Sequence, residues 1–218
     1  MEGLIFDMDG TMVDNMMVHH HAWQRKLASI GVSMSLAEVK EKVHGVNEEI
    51  LERLFGDRFT PAERTQLAYE KEAEYRVIFA DRLQLVPGLR DFLNQAKENG
   101  IPMAIGTAAP PENVDFVLNN LGLRHYFEGI IHARNVSQGK PHPETFLKAA
   151  DSMNIPAEKC LVFEDSVAGA RTAFNAGCKA IIVTTTHYKQ EFAEFEHILK
   201  FIPNFLELNL PDILSSNC

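Results

Sequence analysis

Five short apolar runs, each followed at once by polar or turn-forming residues, constrain what this chain can fold into more than any other feature. They are Gly3-Leu4-Ile5-Phe6, Pro102-Met103-Ala104-Ile105-Gly106, Gly129-Ile130-Ile131-His132, Cys160-Leu161-Val162-Phe163 and Lys179-Ala180-Ile181-Ile182-Val183. Runs this short and this continuously apolar read as strands buried on both faces. Between them lie apolar residues at helical spacing: Leu89, Phe92, Leu93 and Ala96 ahead of Gly100, then Val114, Val117, Leu118 and Leu121 ahead of Gly122. Glycine just after the last apolar turn is a helix C-cap signal. The alternation predicts an α/β fold, a mostly parallel sheet with helices on both faces, whose ligand site lies at the carboxyl ends of the strands.

One stretch breaks the alternation. From about Asn15 to Asp81 there is helical periodicity and no strand, with capping boxes at Ser35-Leu36-Ala37-Glu38 and Thr60-Pro61-Ala62-Glu63. The expected organisation is an α/β core of residues 1–14 and 83–218, with residues 15–82 inserted as an all-helical cap. An insertion directly after the first strand's loop would sit over the site and act as a lid that excludes water.

With 218 residues, 45% of them hydrophobic, the chain is long enough to bury a sizeable core. A formal net charge of −9 with no basic run argues against a nucleic-acid partner. Cys160, Cys178 and Cys218 match no zinc spacing and, being odd in number, no closed disulfide framework. No run reaches the roughly 18 apolar residues of a membrane span, and no basic-then-apolar leader opens the chain. The expectation is a soluble cytoplasmic protein with neither nucleic-acid nor membrane partners; oligomeric state has no signature here.

The chemistry stands at the strand ends. Asp7-Met8-Asp9-Gly10-Thr11 follows the first run; alone, such a sequence is as good a solvated turn as an active site. Thr107-Ala108-Ala109 follows the second, a turn that can cradle a phosphate or simply cap a helix opened by Pro110 or Pro111. Gly139-Lys140-Pro141 follows the third, and Glu164-Asp165-Ser166 the fourth, where helix-capping acids are the plainer alternative. Together they bring carboxylates, one lysine, one hydroxyl and backbone amides to one edge of the sheet. That set suits a hard, oxygen-preferring cation such as Mg²⁺ bridging carboxylates to a substrate phosphate.

These four motifs, in this order, resemble those of the haloacid dehalogenase superfamily, in the branch with a helical cap after the first motif. The resemblance spans residues 2–185 and implies a Rossmann-like core. It implies Asp7 as nucleophile, becoming an aspartyl-phosphate, and Asp9 as general acid and then general base. Superfamily dehalogenases lack an acid at the position of Asp9, so phosphoryl transfer is expected. It further implies Mg²⁺ held by Asp7, the Asp9 carbonyl and Asp165, with Glu164 in or near the shell, and Lys140 and Thr107 with the Ala108 amide on the phosphate.

Val13-Asp14-Asn15, His19 and Ala22-Trp23 are similar to β-phosphoglucomutase and related sugar-phosphate phosphatases, which assigns His19 to the substrate side. His20 and His21 have no such match and are expected on the cap surface or in solvent. His44-Gly45-Val46-Asn47-Glu48 resembles the substrate-facing cap loop, giving His44, Asn47 and Glu48 as substrate-binding candidates. The mutases carry a lysine and an arginine at His44 and Glu48, and Lys-Asn at Pro110-Pro111, to clamp a second phosphate. The resemblance thus leaves three readings: a phosphatase acting on a small phosphomonoester, a phosphomutase, or a catalytically idle member that binds a phosphometabolite.

Overall fold

The computed structural model describes residues 1–43 and 45–215. The chain divides into two compact units, Met1–Asp14 with Gln84–Cys218, and Asn15–Leu83. Leu83 therefore falls with the helices rather than with the α/β unit.

The α/β unit contains β1 (Gly3–Phe6), later followed by α5 (Leu89–Glu98), β2 (Met103–Gly106), α6 (Pro111–Asn120), β3 (Gly129–Ile131), α7 (Glu144–Ser152), β4 (Cys160–Glu164), α8 (Val167–Asn175), β5 (Lys179–Val183), β6 (Ile198–Ile202) and α9 (Leu210–Ser215). The helical unit contains α1 (Met16–Ser29), α2 (Leu36–Lys42), α3 (Asn47–Phe55) and α4 (Pro61–Phe79). Among the described residues no helix is long and apolar enough to cross a membrane.

The strands form one parallel sheet in the order β3-β2-β1-β4-β5-β6. The chain builds outward from β1 through β2 and β3, then returns to place β4 on β1's other side, so the order reverses between β1 and β4. In open α/β sheets a crevice opens at such a switch point, at the strands' carboxyl ends. Strands β1, β2 and β4 are buried throughout, as their unbroken apolar runs require.

Register places the chemistry. Phe6 pairs with Phe163 on one side and Ile105 on the other, so the next residues, Asp7, Glu164 and Gly106, stand at the same level at the carboxyl ends of the strands. Beneath them Phe6 stacks on Phe163 at 4.8 Å, and Phe92 and Phe205 close the aromatic floor. On the sheet's other face Ile5, Val162, Phe146, Ala170 and Ala173 join one apolar cluster.

The helical unit has its own core: Trp23, Leu27, Val39, Val43, Ile50 and Leu51. Ser35 and Thr60 both form capping boxes, with Glu38 and Glu63 answering the cap amides, and Pro61 opens α4. Helices α5 and α6 run out into Gly100 and Gly122, both at positive φ, and Pro111 rather than Pro110 is the first residue of α6. Strand β6 and helix α9 were not among the sequence expectations.

Candidate active site

Lys140 ties the ends of β1 and β4 together. Its Nζ donates to Asp7 Oδ1 at 2.8 Å and to Glu164 Oε1 at 2.6 Å. The same ammonium lies 4.6 Å from the centroid of the Phe146 ring, a cation–π contact at a buried site. The other Glu164 oxygen accepts from the Asp165 and Ser166 amides, both at 2.7 Å, and from Ser166 Oγ at 3.0 Å. Glu164 thus links Lys140 to the start of α8.

Asp165 points back toward the first loop. Thr11 Oγ1 donates to its Oδ1 at 3.3 Å, and the Thr186 hydroxyl donates to its Oδ2. The first loop turns tightly enough for this because Met8 O accepts from the Met12 amide at 2.9 Å while the Gly10 amide donates to Val13 O at 2.8 Å. Gly10 sits at φ 81°, and a Cβ there would lie 2.1 Å from Asp165 Oδ2. No side chain fits at that position.

Asp7, Glu164 and Asp165 each offer an oxygen such that the three lie within 4.8 Å of one another, all buried. Burial is the main force pushing the Asp7 carboxyl up to about 7, with Glu164 and Asp9 adding repulsion that Lys140 only partly offsets. Asp165 is raised as well, by burial and then by the charges of Glu164 and Asp7. Burial works against the Lys140 charge too, but the two carboxylates beside it more than compensate and hold its pKa above the usual lysine range. One lysine among three buried carboxylates leaves the cluster short of positive charge, and its donors are all oxygen. A small hard dication fits that deficit.

The remaining sequence candidates divide between the two units. Asp9 is half-buried on the first loop, and its carboxylate is not one of the three that converge. Thr107 is buried at the end of β2; its amide donates to Ile131 O at 2.9 Å, and its hydroxyl accepts the Ala109 amide at 3.2 Å. Ala108 is the exposed residue of that turn.

His19 and Asn47 meet in a buried polar cluster of the helical unit. Lys71 Nζ lies 2.9 Å from His19 Nδ1 and 2.8 Å from Glu72 Oε1, which also accepts from Asn47 Nδ2 at 2.7 Å. The His19 ring stacks on Tyr75 at 4.0 Å. His20 and His21 are half-buried rather than solvent-facing, because α1 packs on more than one side. Glu48 stands half-buried in the first turn of α3. His44 lies outside the described residues.

Sequence reasoning missed Thr186, Thr11's contact with Asp165, Phe146, and the pair Lys71-Glu72. Lys71 and Glu72 carried a usable signal, adjacent opposite charges inside an otherwise helical apolar face. Thr186 carried none beyond its place in a Thr-Thr-Thr run after a strand.

A family model described as a haloacid dehalogenase-like hydrolase matches residues 1–177. The chain is 33% identical over 181 residues to the fructose-1-phosphate phosphatase YqaB of Escherichia coli (strain K12), covering 83% of this chain and 95% of that protein. It is 30% identical over 189 residues to the β-phosphoglucomutase of Bacillus subtilis (strain 168), covering 83% and 82% of the two. Among solved structures, a family IA, variant 3 hydrolase of Entamoeba histolytica superposes with a TM-score of 0.89 at 25% identity, covering 98% of both chains.

Proposed function

The chain belongs to the haloacid dehalogenase-like hydrolases, and from that premise we propose that it is a Mg²⁺-dependent phosphatase of small phosphorylated metabolites, sugar phosphates among them, acting through a phosphoryl group carried on Asp7. The observation that carries this reading is the buried group of Asp7, Lys140, Glu164 and Asp165 at the switch point of the sheet. Similarity to a fructose-1-phosphate phosphatase supports the substrate class. The buried free thiols of Cys160 and Cys178 suit a reducing, cytoplasmic setting.

In this reading Asp7 and Asp165 hold the cation through their carboxylates and Asp9 through its carbonyl, with the Glu164 charge alongside. When bound, Mg²⁺ would supply positive charge that eases the repulsion of the nucleophile and the incoming phosphate. An Asp7 oxygen attacks phosphorus as the bond to the leaving oxygen breaks, and Asp9 gives that oxygen its proton. The product alcohol departs. Asp9, now a carboxylate, takes a proton from water as the water oxygen attacks phosphorus, and the bond to Asp7 breaks to release inorganic phosphate. Lys140 stabilises charge on Asp7 and the phosphoryl oxygens throughout, and Thr107 with the Ala108 amide receives the equatorial oxygens. His19, His44, Asn47 and Glu48 are the candidates for substrate selection in this reading.

A phosphomutase is the second reading, favoured by the similarity to β-phosphoglucomutase. A mutase must grip a second phosphate dianion, which calls for charge-assisted contacts from cationic groups. In the helical unit the buried Lys71 is already matched by Glu72 at 2.8 Å, and Glu48 adds a further negative charge. Hydrolysis therefore fits better. Incubation with β-glucose 1-phosphate and a bisphosphate primer, reading glucose 6-phosphate and inorganic phosphate in parallel, should show Mg²⁺-dependent phosphate release in excess. Isomerisation outpacing release would favour the mutase, and undiminished release in excess chelator would refute the metal dependence.

A further inference from the structure

We infer that Thr186, on the loop after β5, is a positioning residue for the cation site: its hydroxyl sets the Asp165 carboxylate in the orientation that Mg²⁺ binding requires. The inference rests on the Mg²⁺-dependent reading above and extends the site to a segment beyond the four motifs.

Three consecutive threonines each take a different anchor. Thr184 is fixed to β6, its amide donating to Ile202 O at 2.8 Å and its hydroxyl to the same oxygen at 3.3 Å. The Thr185 hydroxyl donates to the carbonyl of Gly10, in the loop that carries Asp7 and Asp9. The Thr186 hydroxyl donates to Asp165 Oδ2. The loop thereby bridges the first and fourth motifs, and the three groups touch: a Cβ on Gly10 would lie 2.1 Å from Asp165 Oδ2 and 2.9 Å from Thr186 Oγ1.

The chemistry of the donor matters. Lys140 donates to Asp7 and Glu164, whereas Asp165 accepts hydroxyls on both oxygens, from Thr11 and Thr186. A neutral hydroxyl orients a carboxylate without cancelling its charge. Thr11 and Thr186 therefore fix the direction of the Asp165 carboxylate beside its two acidic neighbours without placing a competing cation against it. Partners that orient a ligating carboxylate in this way commonly govern metal affinity.

The test is calorimetric titration of the metal-stripped full-length protein with MgCl₂, beside Thr186→Val, Thr186→Ser and Thr184→Val. Thr186→Val, which keeps shape and loses the hydroxyl, should weaken Mg²⁺ binding about 10- to 100-fold. Turnover at saturating Mg²⁺ should fall by less than about threefold, since the bound cation then holds Asp165 itself. Thr186→Ser should restore affinity, and Thr184→Val, equally placed in the loop but anchored on β6, should leave it unchanged. Thr186→Val binding Mg²⁺ within about twofold of the unaltered protein would overturn the inference, as would an equal loss in Thr184→Val, the mark of a general loop effect. If the unaltered protein binds no Mg²⁺, the underlying reading fails and this one with it; if it binds and Thr186→Val binds equally, only this one fails.

Discussion

Gly10 and Asp9 show how much of this site is decided by single residues. At φ 81° Gly10 occupies a region that costs an L side chain roughly 1–2 kcal/mol, and its missing Cβ leaves the space that Asp165 Oδ2 fills. Gly10→Ala should lower unfolding stability by at least that amount and weaken Mg²⁺ binding as well, read by urea denaturation and by titration. Unchanged values for both would show that the loop and Asp165 are not in contact. Asp9→Asn removes the proposed acid and base while leaving the Asp7 cluster intact, so kcat should drop about 10²- to 10⁴-fold with little change in Mg²⁺ affinity. The first motif was legible because Asp7, Asp9, Gly10 and Thr11 are contiguous and their spacing carries meaning. Thr186 was not, because its partner Asp165 lies 21 residues away and only the packing of the β5–β6 loop brings them together. Glu164 was read as in or near the cation's shell; its bonds to Lys140, Asp165 and Ser166 add a bracing task that no local pattern announces.

At the scale of elements, the segment after β6 supports the site from below. Phe205 is buried, packs against Phe92 at 5.7 Å and Phe163 at 5.4 Å, and its amide donates to Pro87 O at 2.9 Å. Phe205→Ala should cost roughly 3–5 kcal/mol in chemical denaturation, the usual range for an aromatic removed from a packed core. A loss below about 1 kcal/mol would place Phe205 outside the functional floor. In the helical unit, burial alone would raise the Glu72 carboxyl, but Lys71, His19 and Asn47 overcome it and bring it down to about 2 from 4.5. A depressed acid contributes stability that is present above its unfolded pKa and lost as pH falls through the folded one. Between pH 4.5 and about 2 that contribution, on the order of 3 kcal/mol, should disappear. Urea denaturation at pH 6 and pH 3 should show a steeper loss for the unaltered protein than for Glu72→Gln, and equal slopes would contradict the assignment. The inner strands were readable because both faces are buried and their sequences are unbroken apolar runs. Strand β6 was not, since it lies at the sheet edge with Leu199 and Lys200 exposed, and its Ile-Leu-Lys-Phe-Ile pattern follows a polar loop.

Across the whole molecule, the parallel order β3-β2-β1-β4-β5-β6 brings residues from widely separated stretches of the chain to one crevice, and the proposed mechanism depends on that convergence. That the sheet is parallel was legible from the alternation of strand-like and helix-like segments, because parallel strands need crossovers and crossovers need helices, whereas the strand order was not. The polar cluster of Lys71, Glu72, His19, Asn47 and Tyr75 was not legible, because it is assembled from three helices separated in sequence. The central claim is that Asp7 itself carries the phosphoryl group, and rapid acid quench with a ³²P-labelled sugar phosphate and Mg²⁺ tests it most directly. The unaltered protein should retain acid-stable, base-labile label within the first turnover, and Asp7→Asn should retain none. Label on the Asp7→Asn protein equal to that on the unaltered one would contradict the account.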